Sequence, residues 1–216
     1  MSGNLMTATL LDAYQWMLDA PPSWAERAKM DLINKIRRED KFEPNEAVKR
    51  GMEFEDEICK RLHLSREEFL QPYADDLKPI VSSFYDSCAG GKQQVKVTGE
   101  ITVDGMEFFL FGYADIVFPE VIRDIKTTGS YKGADKYLGR AQHLIYMHCL
   151  KTYQFTYEVA DFSGSRLEEY HSIKIRDTPE NVEFRLKGRI KNLKQYMENN
   201  NLMDDYLCKF CRKEHK

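Results

Sequence analysis

The chain has 216 residues, of which 42% are hydrophobic and 31% are charged, and its formal net charge is −3. This composition is that of an ordinary globular protein and excludes binding to nucleic acid through overall positive charge alone. No apolar segment approaches the roughly 20 residues that span a bilayer, and Met1–Asn4 does not begin a signal peptide. We therefore expect one domain over residues 1–216, located in the cytoplasm and without a membrane partner.

The first third of the chain is predicted to be helical, with residues 1–43 as a helical N-terminal extension. Apolar residues at helical spacing predict the first helix. Ser23-Trp24-Ala25-Glu26 and Ser65-Arg66-Glu67-Glu68 match the capping box, in which a serine and a glutamate three residues later begin a helix. The expected helices cover Ala8–Asp19, residues 23–39, 44–62 and 74–87.

The middle of the chain changes from helical to strand periodicity. Val95–Val103 alternates between apolar and polar residues, and Asp104-Gly105 is a strong signal for a tight turn into a second strand over Met106–Phe118. The elements expected after it are a strand over 121–127, a helix over 134–150, strands over 153–160 and 167–175, and a helix over 178–199. This order predicts an α/β fold in which helices flank a mixed central β-sheet.

Three charged side chains, those of Asp115, Asp124 and Lys126, lie inside two of the predicted strands. A tight turn at Pro119-Glu120 would place Asp115 directly opposite Asp124, with Lys126 on the same face of the sheet. The aliphatic residues expected on the other face are Ala114, Ile116, Ile122 and Ile125.

This arrangement of charges favours a metal site. Two carboxylates about 4 Å apart repel each other by about 4 kcal/mol at an effective dielectric constant of 20. A divalent cation removes the conflict, and hard oxygen ligands favour Mg²⁺ or Mn²⁺. The neighbouring amine of Lys126 suits a reaction that builds negative charge, such as phosphodiester hydrolysis. The alternative is a salt bridge between two strands with solvated charges.

Four short motifs together resemble the PD-(D/E)XK nuclease superfamily. Asp115 followed by Asp124-Ile125-Lys126 resembles its signature, and Gly112-Tyr113-Ala114-Asp115 resembles the G-x-x-D form of its RecB-like branch. Gly51-Met52-Glu53-Phe54-Glu55 resembles the helical G-x-x-x-E motif of the superfamily. Gln142-His143-Leu144-Ile145-Tyr146 is similar to the Q-x-x-x-Y helix of RecB-like and phage recombination exonucleases. The motifs follow one another in the order found in that family.

The resemblance implies a restriction-endonuclease-like core that binds one or two Mg²⁺ or Mn²⁺ ions. The implied metal ligands are Glu55, Asp115, Asp124 and the main-chain carbonyl of Ile125. Lys126 would position the attacking water, Gln142 would contact the region of that lysine, and Tyr146 would contact the DNA strand. Cleavage would leave a 5′-phosphate.

Basic residues near these motifs are candidates for DNA contacts. Lys132, Lys136 and Arg140 follow the signature closely, and Arg123 lies within it. A second basic cluster, Arg185–Lys194, belongs to the last predicted helix and is interpreted either as a DNA-binding face or as a solvated face. Phosphate contacts of this kind would make DNA binding fall steeply with salt.

The sequence thus predicts a Mg²⁺-dependent deoxyribonuclease, with exonuclease action favoured, in recombination, repair or DNA processing of a bacterial or phage-infected cell. No G-x-x-x-x-G-K-[ST] pattern occurs, so a helicase would be a separate partner, and a single-strand annealing protein is a second candidate partner. The alternatives are a catalytically degenerate module that binds DNA or protein, and a metal-dependent hydrolase of small phosphoesters.

Cys208-Lys209-Phe210-Cys211 and His215 lie in the last segment, residues 200–216, and resemble half of a metal site. Some RecB-like nucleases bind an iron–sulfur cluster through one cysteine near the first helix and three near the C-terminus. Here no cysteine precedes Cys59, so a cluster is not expected. Zinc would need four ligands as a rule. The favoured interpretation is a tail that packs on the core.

Overall fold

A mixed six-stranded sheet with helices on both sides dominates residues 4–40, 43–163 and 166–211, the residues described by the structure, a computed structural model. The strands are β1 (Asn4–Met6), β2 (Lys92–Val103), β3 (Met106–Val117), β4 (Ile122–Thr128), β5 (Gln154–Ser163) and β6 (Arg166–Arg176). The α-helices are α1 (Ala8–Asp19), α2 (Ala25–Arg37), α3 (Glu46–Arg61), α4 (Arg66–Leu70), α5 (Lys78–Cys88), α6 (Asp135–Leu138), α7 (Gln142–Leu150), α8 (Pro179–Asn199) and α9 (Met203–Phe210). The predicted α/β fold with a mixed sheet between helices is confirmed.

The sheet opens locally along one edge of β3. β2 pairs with β3 antiparallel along almost its whole length. On the other edge, β1 pairs in parallel with Phe108–Leu110, and β4 pairs antiparallel with Ile116 and Val117. Residues 111–115 of β3 therefore face neither strand on this edge, and β4 continues instead as the parallel partner of β5. The candidate site forms at this opening, which we call the β3–β4 gap.

The hairpin between β3 and β4 has the predicted register. Its two pairs, Ile116 with Arg123 and Val117 with Ile122, belong to the tight turn that sets Asp115 opposite Asp124. The ladder ends immediately before the two aspartates, because the strands separate there. The β2–β3 ladder is also interrupted beside Asp115, at Gln94, which has a positive φ of 48°.

Two hydrophobic cores lie on opposite sides of the sheet, and they correct the prediction for the aliphatic face. Ala114 and Ile122 belong to the core that α1, α2, α7 and α8 cover. Ile116 and Ile125 belong to the core beneath α3, α4 and α5. The prediction that all four residues share one face is wrong, because Ile122 and Ile125 are an odd number of positions apart in one strand. Ala114 and Ile116, on either side of Asp115 in β3, also pack in different cores.

Several element boundaries differ from the predictions for local reasons. The helix expected over 134–150 is two helices, and α7 starts where the main-chain N–H of Ala141 donates to Asp12 Oδ1 at 2.6 Å. The capping box at Ser65 is confirmed, with Ser65 Oγ and Glu68 each accepting from the other's main-chain N–H. Ser23 instead lies in a 3₁₀ turn over Pro22–Trp24, and α2 begins after it. β1 and α9 are additions to the predicted elements.

Candidate active site

The β3–β4 gap brings the two predicted aspartates together. Asp115 is 7% exposed, and its Oδ2 atom accepts a hydrogen bond from the main-chain N–H of Ile125 at 2.8 Å. Asp124, the residue before Ile125, is completely buried. The carboxylate of Asp115 therefore replaces a strand pair by binding the backbone of β4, which fixes its position relative to Asp124.

Asp124 is held by two further side chains. Its Oδ1 atom accepts a hydrogen bond from Gln142 Nε2 at 2.6 Å, and its Oδ2 atom forms an ion pair with Lys126 Nζ. Gln142 Nε2 also lies 3.4 Å from the hydroxyl oxygen of Tyr146, which donates to the main-chain oxygen of Tyr113 at 2.7 Å. Gln142 is thus a positioning residue for Asp124, and the buried Tyr146 fixes Gln142.

A glycine makes room for this hydrogen-bond chain. A Cβ atom at Gly112 would lie 2.6 Å from Tyr146 Cε1 and 2.8 Å from the Tyr146 hydroxyl oxygen, closer than real Cβ atoms approach. The glycine of the G-x-x-D motif therefore has a steric role, since it lets the Tyr146 ring pack directly against β3.

Helix α3 supplies the third carboxylate. Glu55 is half-buried, and its Oε1 atom lies 3.3 Å from Gln94 Nε2, which is also 3.5 Å from Asp115 Oδ1. The other acidic residues of this part of α3, Glu53, Asp56 and Glu57, are exposed. The helix thus directs one of its four neighbouring acids into the β3–β4 gap.

The electrostatics of the site show a conflict among its carboxylates. Burial and the charge of Asp124 raise the pKa of Asp115 to about 9. Burial also raises the pKa of Glu55, although the charge of Lys126 opposes the shift. Burial alone would lower the pKa of Lys126, but the carboxylates of Asp124 and Asp115 raise it. Without a cation, burial and mutual repulsion therefore oppose full ionisation of these carboxyl groups.

An open cavity of about 530 Å³ lies against these residues. Its lining includes Glu55, Ile125 and Lys126 from the site, and Arg50, Lys136 and Arg140 from around it. Burial and the nearby charges of Arg140 and Lys132 lower the pKa of Lys136. The cavity has the volume of a small-ligand site, and three cations on its walls suit a phosphate group.

The remaining basic candidates have different surroundings. Lys132 is exposed and does not line this cavity, although its charge acts on Lys136. Arg123 forms an ion pair with the completely buried Glu158, so its proposed contact with DNA is not supported. In the Arg185–Lys194 cluster, ion pairs join Arg185 to Asp177, Lys187 to Glu183, Lys191 to Asp104 and Lys194 to Glu198. These pairs favour the interpretation of α8 as a solvated face.

The donor set fits a hard divalent cation. Glu55, Asp115 and Asp124 offer carboxylate oxygens, the ligands that Mg²⁺ and Mn²⁺ prefer. Asp124 Oδ2 is buried and accepts no hydrogen bond of normal geometry from the described residues, so its charge is balanced by the Lys126 ammonium group. Across the described ranges, no three Asp, Glu, His or Cys side chains already form a metal cage. Binding of an ion would therefore require Lys126 to move away from Asp124.

Two residues of the site were not singled out by the sequence. Gln94 bridges Glu55 and Asp115, and Arg50 lies in the cavity with its guanidinium group 5.1 Å from the Phe162 ring centroid. Arg50 precedes the glycine of the G-x-x-x-E motif, which is a usable signal. Gln94 lies in a strand that carries no motif, and only the three-dimensional contacts identify it.

The C-terminal cysteines lie away from these carboxylates. Cys208 belongs to α9, and Cys211 follows it and forms an isolated β-bridge with Asn4. Both are exposed, and His215 lies outside the described residues.

Within the described part of the chain, no helix is both long and apolar enough to cross a membrane.

Comparison with known proteins identifies no family. No family model and no curated protein matches the chain. Among solved structures, it is similar to LHK-Exo in complex with dAMP, with 16% identity, a TM-score of 0.48 and coverage of 95% of both chains. It is also similar to an alkaline exonuclease (LHK-Exo) from Laribacter hongkongensis, with 17% identity, a TM-score of 0.47 and coverage of 94% of both chains. For SSO0001 the identity is 15% and the TM-score is 0.38, covering 76% of this chain and 85% of that chain. At these TM-scores the similarities do not assign an activity, which has to be inferred from the site itself.

Proposed function

We propose that this protein is a metal-dependent DNA nuclease of the PD-(D/E)XK superfamily, which hydrolyses phosphodiester bonds and leaves 5′-phosphates. The observation that carries the proposal is the meeting of Glu55, Asp115 and Asp124 with Lys126 at the β3–β4 gap. These residues come from a helix and two strands, and two of them, Glu55 and Lys126, line a cavity with cationic walls. A structural salt bridge between two strands would need neither Glu55 nor the cavity.

The chain's own residues have separate roles in the proposed reaction. Ile125 N–H and Gln142 Nε2 fix the two aspartates, so that these two carboxylates need little reorganisation during the reaction. Lys126 would leave Asp124 and hold the attacking water by a hydrogen bond. A Mg²⁺ or Mn²⁺ ion bound by Glu55, Asp115, Asp124 and the Ile125 carbonyl would polarise the phosphate and offset its developing negative charge.

The cationic walls would hold the substrate backbone. Arg50, Lys136 and Arg140 line the cavity together with Glu55, where they can bind phosphate oxygens that do not react. No residue of the cavity is part of a base-reading motif, so we expect little sequence specificity. Exonuclease action, and a role in recombination or repair beside a separate helicase or annealing protein, follow from the family resemblance and belong to the proposal.

Digestion of end-labelled DNA tests the function. Linear duplex, single-stranded and closed circular DNA would be incubated with the purified protein in Mg²⁺, in Mn²⁺ and in EDTA, with a small phosphodiester as a further substrate. We expect degradation of linear DNA in either metal, ligatable 5′-phosphate ends, and no reaction in EDTA. Lys126→Ala should abolish degradation, whereas Lys60→Ala, which removes an exposed lysine of α3 paired with Asp56, should not. Unchanged activity of Lys126→Ala, or cleavage in EDTA, would refute the assignment.

A further inference from the structure

A second cavity adjoins the proposed catalytic cavity. Its volume is about 400 Å³, and it lies between α1 and the segment that carries α6. Its lining residues are Asp12, Gln15, Trp16, Asp19, Asp135, Lys136, Gly139 and Arg140. Lys136 and Arg140 line both cavities, so these two cations form the border between them. A ligand bound at the border can therefore extend into either cavity.

The border cations are available to a ligand. No ion pair among residues 4–40, 43–163 and 166–211 involves Lys136 or Arg140. The Nε atom of Arg140 is buried and has no hydrogen-bond partner among these residues. Because that atom is buried, a phosphate oxygen at the border would instead meet the part of the Arg140 side chain that lines the two cavities. Both side chains also contact the ring of Tyr137, with Lys136 Nζ and Arg140 Cζ each 5.8 Å from its centroid, which places the two charges side by side at the border.

One wall of the second cavity is a large exposed aromatic ring. Trp16 is 46% exposed and belongs to neither hydrophobic core, although its helix α1 contributes Leu10 and Leu11 to one of them. Helix α1 is held in place here by the hydrogen bond from Ala141 N–H to Asp12 Oδ1. The indole ring is therefore supported by a fixed helix and offers apolar surface to the cavity that it lines.

The charges that line the second cavity favour different positions for a nucleobase and for a phosphate group. The carboxylates of Asp12, Asp19 and Asp135 line this cavity and not the catalytic one, whereas the cations lie at the border. A phosphate group would be retained at the border and repelled from the interior. The interior suits an uncharged, flat, partly polar group, which is the description of a nucleobase.

We propose that the second cavity binds the base of an unpaired nucleotide, stacked on Trp16, whose phosphate is held by Lys136 and Arg140 at the entrance to the catalytic cavity. This inference rests on the proposed nuclease function and narrows its substrate. A base within a duplex is stacked and paired and cannot enter such a cavity without being extruded. The protein would therefore favour DNA with at least one unpaired nucleotide beside the scissile phosphate.

Tryptophan fluorescence gives a direct test, because the chain has two tryptophans. The Trp24→Phe variant leaves Trp16 as the reporter, and Lys126→Ala in the same protein prevents cleavage. An oligonucleotide with a single-stranded end, added in the presence of Mg²⁺, should quench Trp16 fluorescence, and a blunt duplex of the same length should quench it far less. Equal quenching by both DNAs, or no quenching by either, would overturn the proposal.

Substitutions test the same contact by affinity. Base stacking on an aromatic residue corresponds to roughly 5- to 150-fold in binding, so Trp16→Ala should weaken binding of the single-stranded end by that factor. Trp16→Phe should retain most of the affinity. The control is Trp24→Ala, since Trp24 is 48% exposed but does not line the cavity.

Unchanged binding and cleavage by Trp16→Ala would refute the base site and leave the proposed nuclease function unaffected. Quenching of Trp16 in a protein whose wild type does not cleave DNA would refute the nuclease and support the base site.

Discussion

Gly51 of α3 lies so close to Thr127 of β4 that a Cβ atom on the glycine would stand 2.5 Å from the threonine Oγ1 atom. The helix that supplies Glu55 therefore packs directly on the strand that supplies Asp124 and Lys126. Thr127 is β-branched and has little rotamer freedom, so it cannot turn away easily. The glycine of the G-x-x-x-E motif thus sets the distance between the helical carboxylate and the two aspartates.

We predict that Gly51→Ala lowers DNA cleavage strongly because it pushes α3 and Glu55 away from β4. A displacement of about 1 Å at a catalytic group can cost on the order of 100-fold in rate, and the overpacking should cost about 1–3 kcal/mol of stability. Cleavage assays and urea denaturation measure the two effects.

The double variant Gly51→Ala/Thr127→Ala removes the clash and should recover much of the lost activity. Gly188→Ala is the matched control, because a Cβ atom there meets nothing within 4 Å in α8. That change should stabilise the protein by up to about 1 kcal/mol. If Gly51→Ala is fully active, close packing of α3 does not position Glu55.

Gln142→Ala should lower kcat with little change in KM, since Gln142 contacts Asp124 and no cavity-lining position is lost. Loss of one orienting hydrogen bond should reduce kcat by about 10-fold or more. Tyr146→Phe should have a smaller effect on kcat, because it removes only the hydroxyl group that supports Gln142. Steady-state kinetics on a labelled duplex would separate the two parameters. A rise in KM at unchanged kcat would assign Gln142 to substrate binding instead.

Arg123→Ala should destabilise the fold without weakening the affinity for DNA. Its partner Glu158 is completely buried, whereas Arg123 is 21% exposed, and removal of the partner of a buried charge costs up to about 3–5 kcal/mol. Lys136→Ala should do the opposite, with weaker DNA binding and nearly unchanged stability. Urea denaturation and fluorescence anisotropy at several salt concentrations would distinguish them. A stable Arg123→Ala protein with weak DNA binding would restore the original assignment of Arg123 to the DNA surface.

The sequence motifs identify most of the proposed site because their residues lie where the hairpin register is fixed or where a side chain contacts the backbone closely. Asp115, Asp124 and Lys126 fall at the predicted positions because a two-residue turn permits one register. Gly51 and Gly112 mark the places where Thr127 and Tyr146 approach the backbone. Glycine at such contacts is a steric necessity, and a short motif can therefore be informative.

Other parts of the site depend on contacts distant in sequence. The β3–β4 gap is bounded on one side by β1, which pairs with β3 more than a hundred positions later, and a three-residue strand leaves almost no periodicity to detect. Glu55 differs from its acidic neighbours only in the face of α3 that packs on β4. The break between α6 and α7 depends on Asp12 of α1. None of these features follows from local pattern alone.

We predict that the free energy of unfolding decreases as the pH is lowered, and that His143 is the cause. This histidine is buried, its Nδ1 atom lies 3.3 Å from the Tyr157 hydroxyl oxygen, and burial lowers its pKa to about 3. Histidine in the unfolded chain has a pKa of about 6.5. Below that pH the unfolded chain binds a proton that the folded protein does not bind, so the free energy of unfolding decreases by up to about 1.4 kcal/mol for each pH unit.

Urea denaturation between pH 4 and 7 measures this slope. His143→Gln keeps a hydrogen-bonding side chain and removes the titration, so its stability should depend less on pH than that of the wild type. The exposed His63 provides the control variant, His63→Gln, whose pH dependence should match the wild type. Identical slopes for all three proteins would show that His143 is not the group responsible.

Substitution of Lys126 should affect metal binding and catalysis differently. In the structure its ammonium group pairs with Asp124 Oδ2, the place where a divalent cation would bind, so the lysine and the cation compete for one carboxylate. Lys126→Ala should therefore bind Mn²⁺ at least as tightly as the wild type while losing cleavage. Asp115→Asn should lose both, because it removes a charge from the donor set.

Binding that is specific to the folded state adds about 2.7 kcal/mol of stability at 100 times Kd, so the metal-dependent rise in Tm reports the affinity without any turnover. A Lys126→Ala protein with no metal-dependent rise in Tm would show that the amine supports the cation rather than competing with it.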